Sequence, residues 1–177
     1  MMHSIVRYPL LPSLLLAGFL FSLLCSARTV TVGDICPKHP NPNNCDIIMM
    51  TIPGITEGAD IDRLSSYFIR LGLSKTFDSV TLITEIIANS TDTQLELRYN
   101  SCTMDHTDAA IYLSEVRSSF SSGNFDAMKS NCAVVIKDVQ DCDTKAYDSP
   151  PLRMMNQGLV DVTNIVVILA DFLAGKY

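Results

Sequence analysis

The chain shows no alternating strand pattern, no internal repeat and no low-complexity tract. It also has no glycine-rich phosphate loop, no paired metal-binding carboxylates and no basic patch interleaved with aromatics, which removes the recognised nucleotide, metal and nucleic-acid motifs. Histidine is scarce at three residues, His3, His39 and His106, and no Ser-His-Asp or Cys-His arrangement is set up around any of them. Charged residues make up 18% of the chain against 47% hydrophobic, a balance that fits one globular domain in 177 residues.

Residues 1–27 carry a single charge, Arg7, followed by an apolar run from Leu10 to Leu24 that ends in Cys25, Ser26 and Ala27. A positive start, an apolar core and small residues read as a signal peptide. The run is shorter than the roughly 20 residues a spanning helix needs and contains Pro12, so cleavage near Arg28 is expected rather than anchoring. Near the other end, Asp161, Asn164 and Asp171 interrupt the apolar stretch from Leu159 to Leu173, so no membrane segment is expected in the mature form. Loss of Arg7 and no acid leaves 12 basic and 19 acidic residues, a net charge of −7. Such a surface repels nucleic acid and anionic lipid and favours a basic partner.

The expected mature chain has Cys36, Cys45, Cys102, Cys132 and Cys142, an odd number in an oxidising compartment. Cys36 and Cys45 flank a turn-forming stretch, Pro37 to Asn44, and pair naturally. The other three lie in helical sequence. One apolar series runs Leu95, Tyr99, Cys102, Ala109, Leu113, Val116, Phe120; beyond Ser121-Ser122-Gly123 a second runs Phe125, Met128, Cys132, Val135, Val139, Cys142, Ala146. In an antiparallel helix pair, residues equidistant from the turn face each other. Cys102 and Cys142 are equidistant from Ser122, inside the turn, so they pair and Cys132 remains a free, buried thiol.

The series Leu152, Met155, Leu159, Val162, Val166, Leu169, Leu173 follows Pro150-Pro151 and predicts a further helix. Ile61, Leu64, Phe68, Leu71 and then, after a phase shift beside Gly72, Leu73, Phe77, Val80 and Ile87 predict one long helix bent near Gly72, or two in sequence. The fold class is therefore all-α: an up-and-down four-helix bundle at 59–177, with residues 28–58 as a disulfide-linked helical hairpin extension in which Ile35, Ile47, Ile48, Met49 and Met50 face the bundle. His106 falls on a helix seam as a core histidine. The trio Cys36, His39 and Cys45 is no zinc set once two of its members are oxidised. Asn89-Ser90-Thr91 is an N-glycosylation sequon. No catalytic residue, metal ligand or cofactor site emerges, which leaves a binding protein.

Eight residues between two cysteines around a proline-bearing turn, followed by a pair 40 positions apart in the middle helices, resembles the plant invertase and pectin methylesterase inhibitor family. Cys102, Ala109 and Leu113 match that family's helix motif, with His106 where tyrosine is usual. Ser122-Gly123-Asn124-Phe125-Asp126 resembles its turn before the third helix, and Val139-Gln140-Asp141-Cys142 its Asp-Cys signature. Asn131 and Cys132 depart from the family's small residues. The resemblance covers about residues 30–174. It implies a secreted, non-catalytic, cofactor-free protein of the apoplast or cell wall, with the vacuole as a second compartment for an invertase inhibitor. Such a protein blocks an enzyme's active-site cleft with the bundle.

Invertase inhibitors often carry Pro-Lys-Phe after the Gly-Asn of the turn; here Phe125-Asp126-Ala127 stands in that place. Pectin methylesterase is thus the leading target, with acid invertase as the alternative. The resemblance puts the binding face on the middle helices and their turn, with Asp105, Asp108, Glu115 and Asp126 as exposed acidic candidates. A third reading, a bundle holding a small apolar ligand, would use Met104, Met128, Met154 and Met155 as a pocket lining.

Overall fold

The computed structural model describes residues 28–177, so the expected signal peptide at 1–27 lies outside the described residues. Four long helices follow in order: α3 (Ile61–Ala88), α4 (Thr93–Ser121), α5 (Phe125–Lys145) and α6 (Pro150–Leu173). Each packs on two others, α3 on α4, α4 on α5, α5 on α6 and α6 back on α3, which is an up-and-down four-helix bundle. Before them come α1 (Val32–Ile35), a short 3-10 turn over Cys36–Lys38, and α2 (Pro42–Met49). Both short helices lean on α6.

The sequence ends each helix with recognisable chemistry. Asp60, Asp92 and Asn124 cap α3, α4 and α5 by accepting from the backbone N–H groups of Arg63 (2.9 Å), Gln94 (2.8 Å) and Ala127 (3.1 Å). Pro150 and Pro151 open α6, where a missing N–H costs nothing. After α4, Gly123 takes φ +72°, its N–H donates to the carbonyl of Phe120, and the N–H of Asn124 reaches that of Ser119 at 2.9 Å. This pair of bonds is a Schellman ending, and it reverses the chain within three residues.

The structure joins Cys36 to Cys45 and Cys102 to Cys142, with Cα separations of 5.4 and 4.6 Å. Cys132 is unpaired and fully buried, and burial pushes its thiol up to about 12. It is protonated and inert at any physiological pH.

Three features differ from the sequence reading. Thr29–Val30 pairs antiparallel with Ala59–Asp60, tying the start of the described chain to the start of α3. Two-residue strands leave no periodic trace. In the hairpin, Ile35 and Met49 are buried as expected, but Ile47 and Met50 are 68% and 59% exposed: Cys45 and Met49 form the buried face of α2, Ile47 lies on the opposite side, and Met50 follows the last turn.

The third difference lies in α3: it is one long helix, the first of the two expected readings, but its buried residues keep a single phase through Gly72: Ile61, Leu64, Phe68, Gly72, Thr76, Ser79 and Ile83. The apparent shift at Gly72 is a change of residue type on the same face. A Cβ at Gly72 would sit 3.3 Å from Leu113, so glycine lets α3 and α4 approach closely. Thr76 folds its hydroxyl onto the Gly72 carbonyl at 2.9 Å. Phe77, expected on the seam, is 62% exposed.

Helix α6 is long and apolar enough to cross a membrane, yet most of it is buried. It contacts α3, α5 and the hairpin, so apolar residues surround most of its circumference from Leu159 onward.

Candidate target-binding face

Helices α4 and α5 form one slab, joined at one end by the turn at 122–124 and at the other by the Cys102–Cys142 bond. Their inner faces carry Tyr99, Cys102, Ala109, Leu113 and Val116 against Met128, Cys132, Val135, Val139 and Cys142, all buried. The outer faces are free to meet a partner.

Of the four acidic candidates, Asp108 and Glu115 are exposed on α4 and take part in no ion pair among the described residues. Asp126 stands in the first turn of α5 with its side chain 87% exposed; its carboxylate lies 3.2 Å from Lys176 Nζ. Asp105 corrects the expectation of exposure. Its side chain is only 17% exposed and is held by Lys145 at 2.6 Å, so it clamps α4 to α5.

Two further acids complete the face. Asp138 is half-buried and one of its oxygens has no partner. Burial holds its carboxyl above the usual carboxylate range against the pull of Lys137, and Asp108, Asp105 and Asp141 add to the rise. Asp141 is bonded to Lys137 at 2.8 Å, and that hydrogen bond keeps it below its ordinary value. Asp108 and Asp138, and likewise Asp105 and Asp141, are symmetric about residue 123, one position beyond the centre of the cysteine pair and still within the turn. Asp105, Asp108, Asp138 and Asp141 thus form a strip across the slab, with Lys137 and Lys145 at its margin.

At the turn, Phe125 packs inward on the core while Asp126 points out. Asn89 is exposed at the end of α3, where its side-chain amide donates to the Glu85 carbonyl at 2.8 Å; one amide hydrogen remains available for a glycan linkage.

Both histidines among the described residues are engaged in contacts within the fold. His106 is fully buried; its Nε2 donates to Asn156 Oδ1 at 2.9 Å, and Asn156 in turn donates to Asp143 at 2.8 Å. Burial lowers the His106 pKa, which favours the neutral ring, and Nδ1 has no partner. Cys102, His106 and Cys142 cluster tightly, but both sulfurs are spent in a disulfide and offer no thiolate. His39 is likewise engaged at both ring nitrogens, with Asn41 and Asp161. The four methionines do not converge on a pocket: Met104 and Met154 are 68% and 76% exposed, whereas Met128 is fully buried.

No protein-family model matches the chain. A curated relative, a pectinesterase inhibitor of Actinidia deliciosa, is 23% identical over 155 residues, spanning 85% of this chain and 83% of the relative. Among solved structures, a mutant form of a pectin methylesterase inhibitor from Arabidopsis superposes with a TM-score of 0.71 at 15% identity, covering 79% of this chain and 95% of that one. A pectin methylesterase inhibitor from Arabidopsis thaliana gives 0.61 at 16% identity, covering 78% and 93%. The structures show the same fold, and the relatives are inhibitors rather than enzymes. In fold the chain is similar to pectin methylesterase inhibitors, and in sequence to a pectinesterase inhibitor along most of both chains.

Proposed function

We propose that residues 28–177 form one inhibitor domain, exported after loss of residues 1–27, that binds a pectin methylesterase in the cell wall and covers its active-site cleft. The observation that carries this reading is the pectinesterase inhibitor of Actinidia deliciosa, which aligns along most of both chains. The acidic strip of α4 and α5 supports it, because an acidic face steers and holds a basic enzyme. Asp126 supports it over invertase inhibition: where invertase inhibitors carry a lysine in the tripeptide, this turn presents a carboxylate to the solvent.

The test is titration of the purified, disulfide-bonded chain into separate assays of a plant pectin methylesterase and an acid invertase at mildly acidic pH. Loss of esterase activity at near-stoichiometric amounts, with invertase untouched, is the expected result. Invertase inhibition alone would overturn the target. Asp108→Lys combined with Glu115→Lys should weaken esterase inhibition at least about tenfold, since rim charges govern encounter and complementarity. Undiminished inhibition by that double variant would move the binding face elsewhere.

A further inference from the structure

The charge of this protein is unevenly placed. In a chain with 19 acids, Arg63, Arg70 and Arg117 are exposed, and none of them makes an ion pair among the described residues. Arg63 and Arg70 are seven residues apart on one face of α3, about 10 Å along the helix axis. Arg117 projects from the last turns of α4 into the same region. Arg70 and Arg117 line a groove of about 280 Å³ together with Ser66, Ile69, Phe120 and Ser121. Arg63 lines the neighbouring hollow beside Tyr67, but Glu57 and Asp60 stand there too, so the cationic groove is that of Arg70 and Arg117.

From this arrangement we propose that the α3–α4 groove binds an acidic polysaccharide, a chain of uronic acid residues, through its carboxylates. Guanidinium forks pair with planar carboxylates in two parallel hydrogen bonds. Serine hydroxyls from both walls suit sugar hydroxyls, and Phe120 and Ile69 give the groove an apolar part of its lining for the carbon framework of a sugar. An inorganic anion would use the arginines and leave that apolar part unused. An acidic protein surface would need more than one narrow groove to bury a standard interface. The groove does not include the acidic strip on α4 and α5, so saccharide and enzyme could be held together.

The proposal rests on the cell-wall reading only for where such a polymer would be met. The experiment therefore contains no esterase, and its failure leaves the inhibition assay to be judged separately. The purified, disulfide-bonded chain is titrated with a short de-esterified oligogalacturonate at about pH 6, where ordinary carboxylic acids are ionised. Its fully methyl-esterified counterpart, polyglutamate and inorganic phosphate serve as comparison ligands, with binding followed by calorimetry and by amide chemical shifts.

Saturable binding of the acid oligomer is expected, with shifts centred on Ser66 to Arg70 and Arg117 to Ser121 and weakening as salt rises. Arg70→Ala with Arg117→Ala should lower affinity at least about tenfold at an unchanged melting temperature, given the usual worth of charged hydrogen bonds. Phe120→Leu should weaken the saccharide but not phosphate. Equal binding of the methyl ester, equal binding of polyglutamate, phosphate alone shifting the groove, or an undiminished double variant would each overturn the assignment.

Discussion

His39 and His106 are both buried, both lie close in sequence to a disulfide, and both hold a partner on α6, yet the two joints are built differently. His39 uses both ring nitrogens: Nδ1 accepts from the Asn41 N–H at 2.9 Å and Nε2 donates to the Asp161 carbonyl at 3.0 Å. The Asp161 carboxylate is buried too and is satisfied by the amides of Asn44 and Gln157, both at 2.9 Å. His106 uses one nitrogen and leaves the other bare. The contrast follows from how much apolar surface each segment owns. The 8-residue helix α2 cannot stand alone, so a polar lock and a short disulfide fasten it. The 29-residue α4 is held by a continuous apolar seam, and its histidine network is secondary.

The largest effects should come from the two disulfides. Closing a 40-residue loop contributes about 4 kcal/mol in the loop-entropy model, against about 2.5 for a loop of nine. Replacing Cys102 and Cys142 by serine should therefore lower urea stability across the whole bundle by about 4 kcal/mol. Replacing Cys36 and Cys45 should speed hydrogen exchange chiefly in α1 and α2 while α4 and α5 keep their protection. Equal, global losses from both pairs would erase the distinction between lock and seam.

Next in size are the histidines themselves. His39→Leu strands the Asn41 N–H and the Asp161 carbonyl, at about 2 kcal/mol. His106→Leu strands only Asn156 Oδ1, whose amide still reaches Asp143, and should cost about 1 kcal/mol. Chemical denaturation of the two variants gives the order, and the reverse order would show that His106 carries more of the fold than its contacts suggest.

Much of this was legible beforehand where a physical rule ties spacing to geometry. The 3-4 series placed the seams of α4, α5 and α6, and equidistance from the Ser122 turn paired Cys102 with Cys142. Counted instead from Gly123, one position further into the turn, Asp108 falls opposite Asp138 and Asp105 opposite Asp141, acids that periodicity alone passes over as solvated residues. Partners held by long-range contacts stayed hidden. Nothing local in the sequence marks Asp105 for Lys145, 40 residues away, or His39 for Asp161, 122 residues away.

Acid should expose the single-ended character of His106. Its pKa is lowered in the fold chiefly by burial, so the unfolded chain takes up a proton at this site before the folded chain does. The stability contributed by the neutral ring is fully present above the ordinary value of 6.5 and is lost as pH falls through the lower folded value. The slope in that window is at most about 1.4 kcal/mol per pH unit. His106→Gln retains a donor for Asn156 and cannot titrate, so the difference between the two proteins in urea melts from about pH 7 to pH 4.5 isolates this group from the carboxylates. Parallel curves would mean that the ring protonates in place.

The smallest effect is expected at Phe77, and it bears on how α3 is read. Apolar residues alone suggest a change of face at Gly72, with Phe77 turned into the core. The structure keeps one face and fills it with Gly72, Thr76 and Ser79, whose small size admits Leu113 of α4 where larger side chains would hold the helices apart. Phe77→Gln should then change stability by less than about 0.5 kcal/mol, as an exposed substitution does. Phe68→Ala, on the true seam, is the reference for a buried position and should cost several times more. A loss at Phe77 comparable to that at Phe68 would mean that α3 does change face at Gly72, and that the close approach of α3 to α4 is not what its small residues are for.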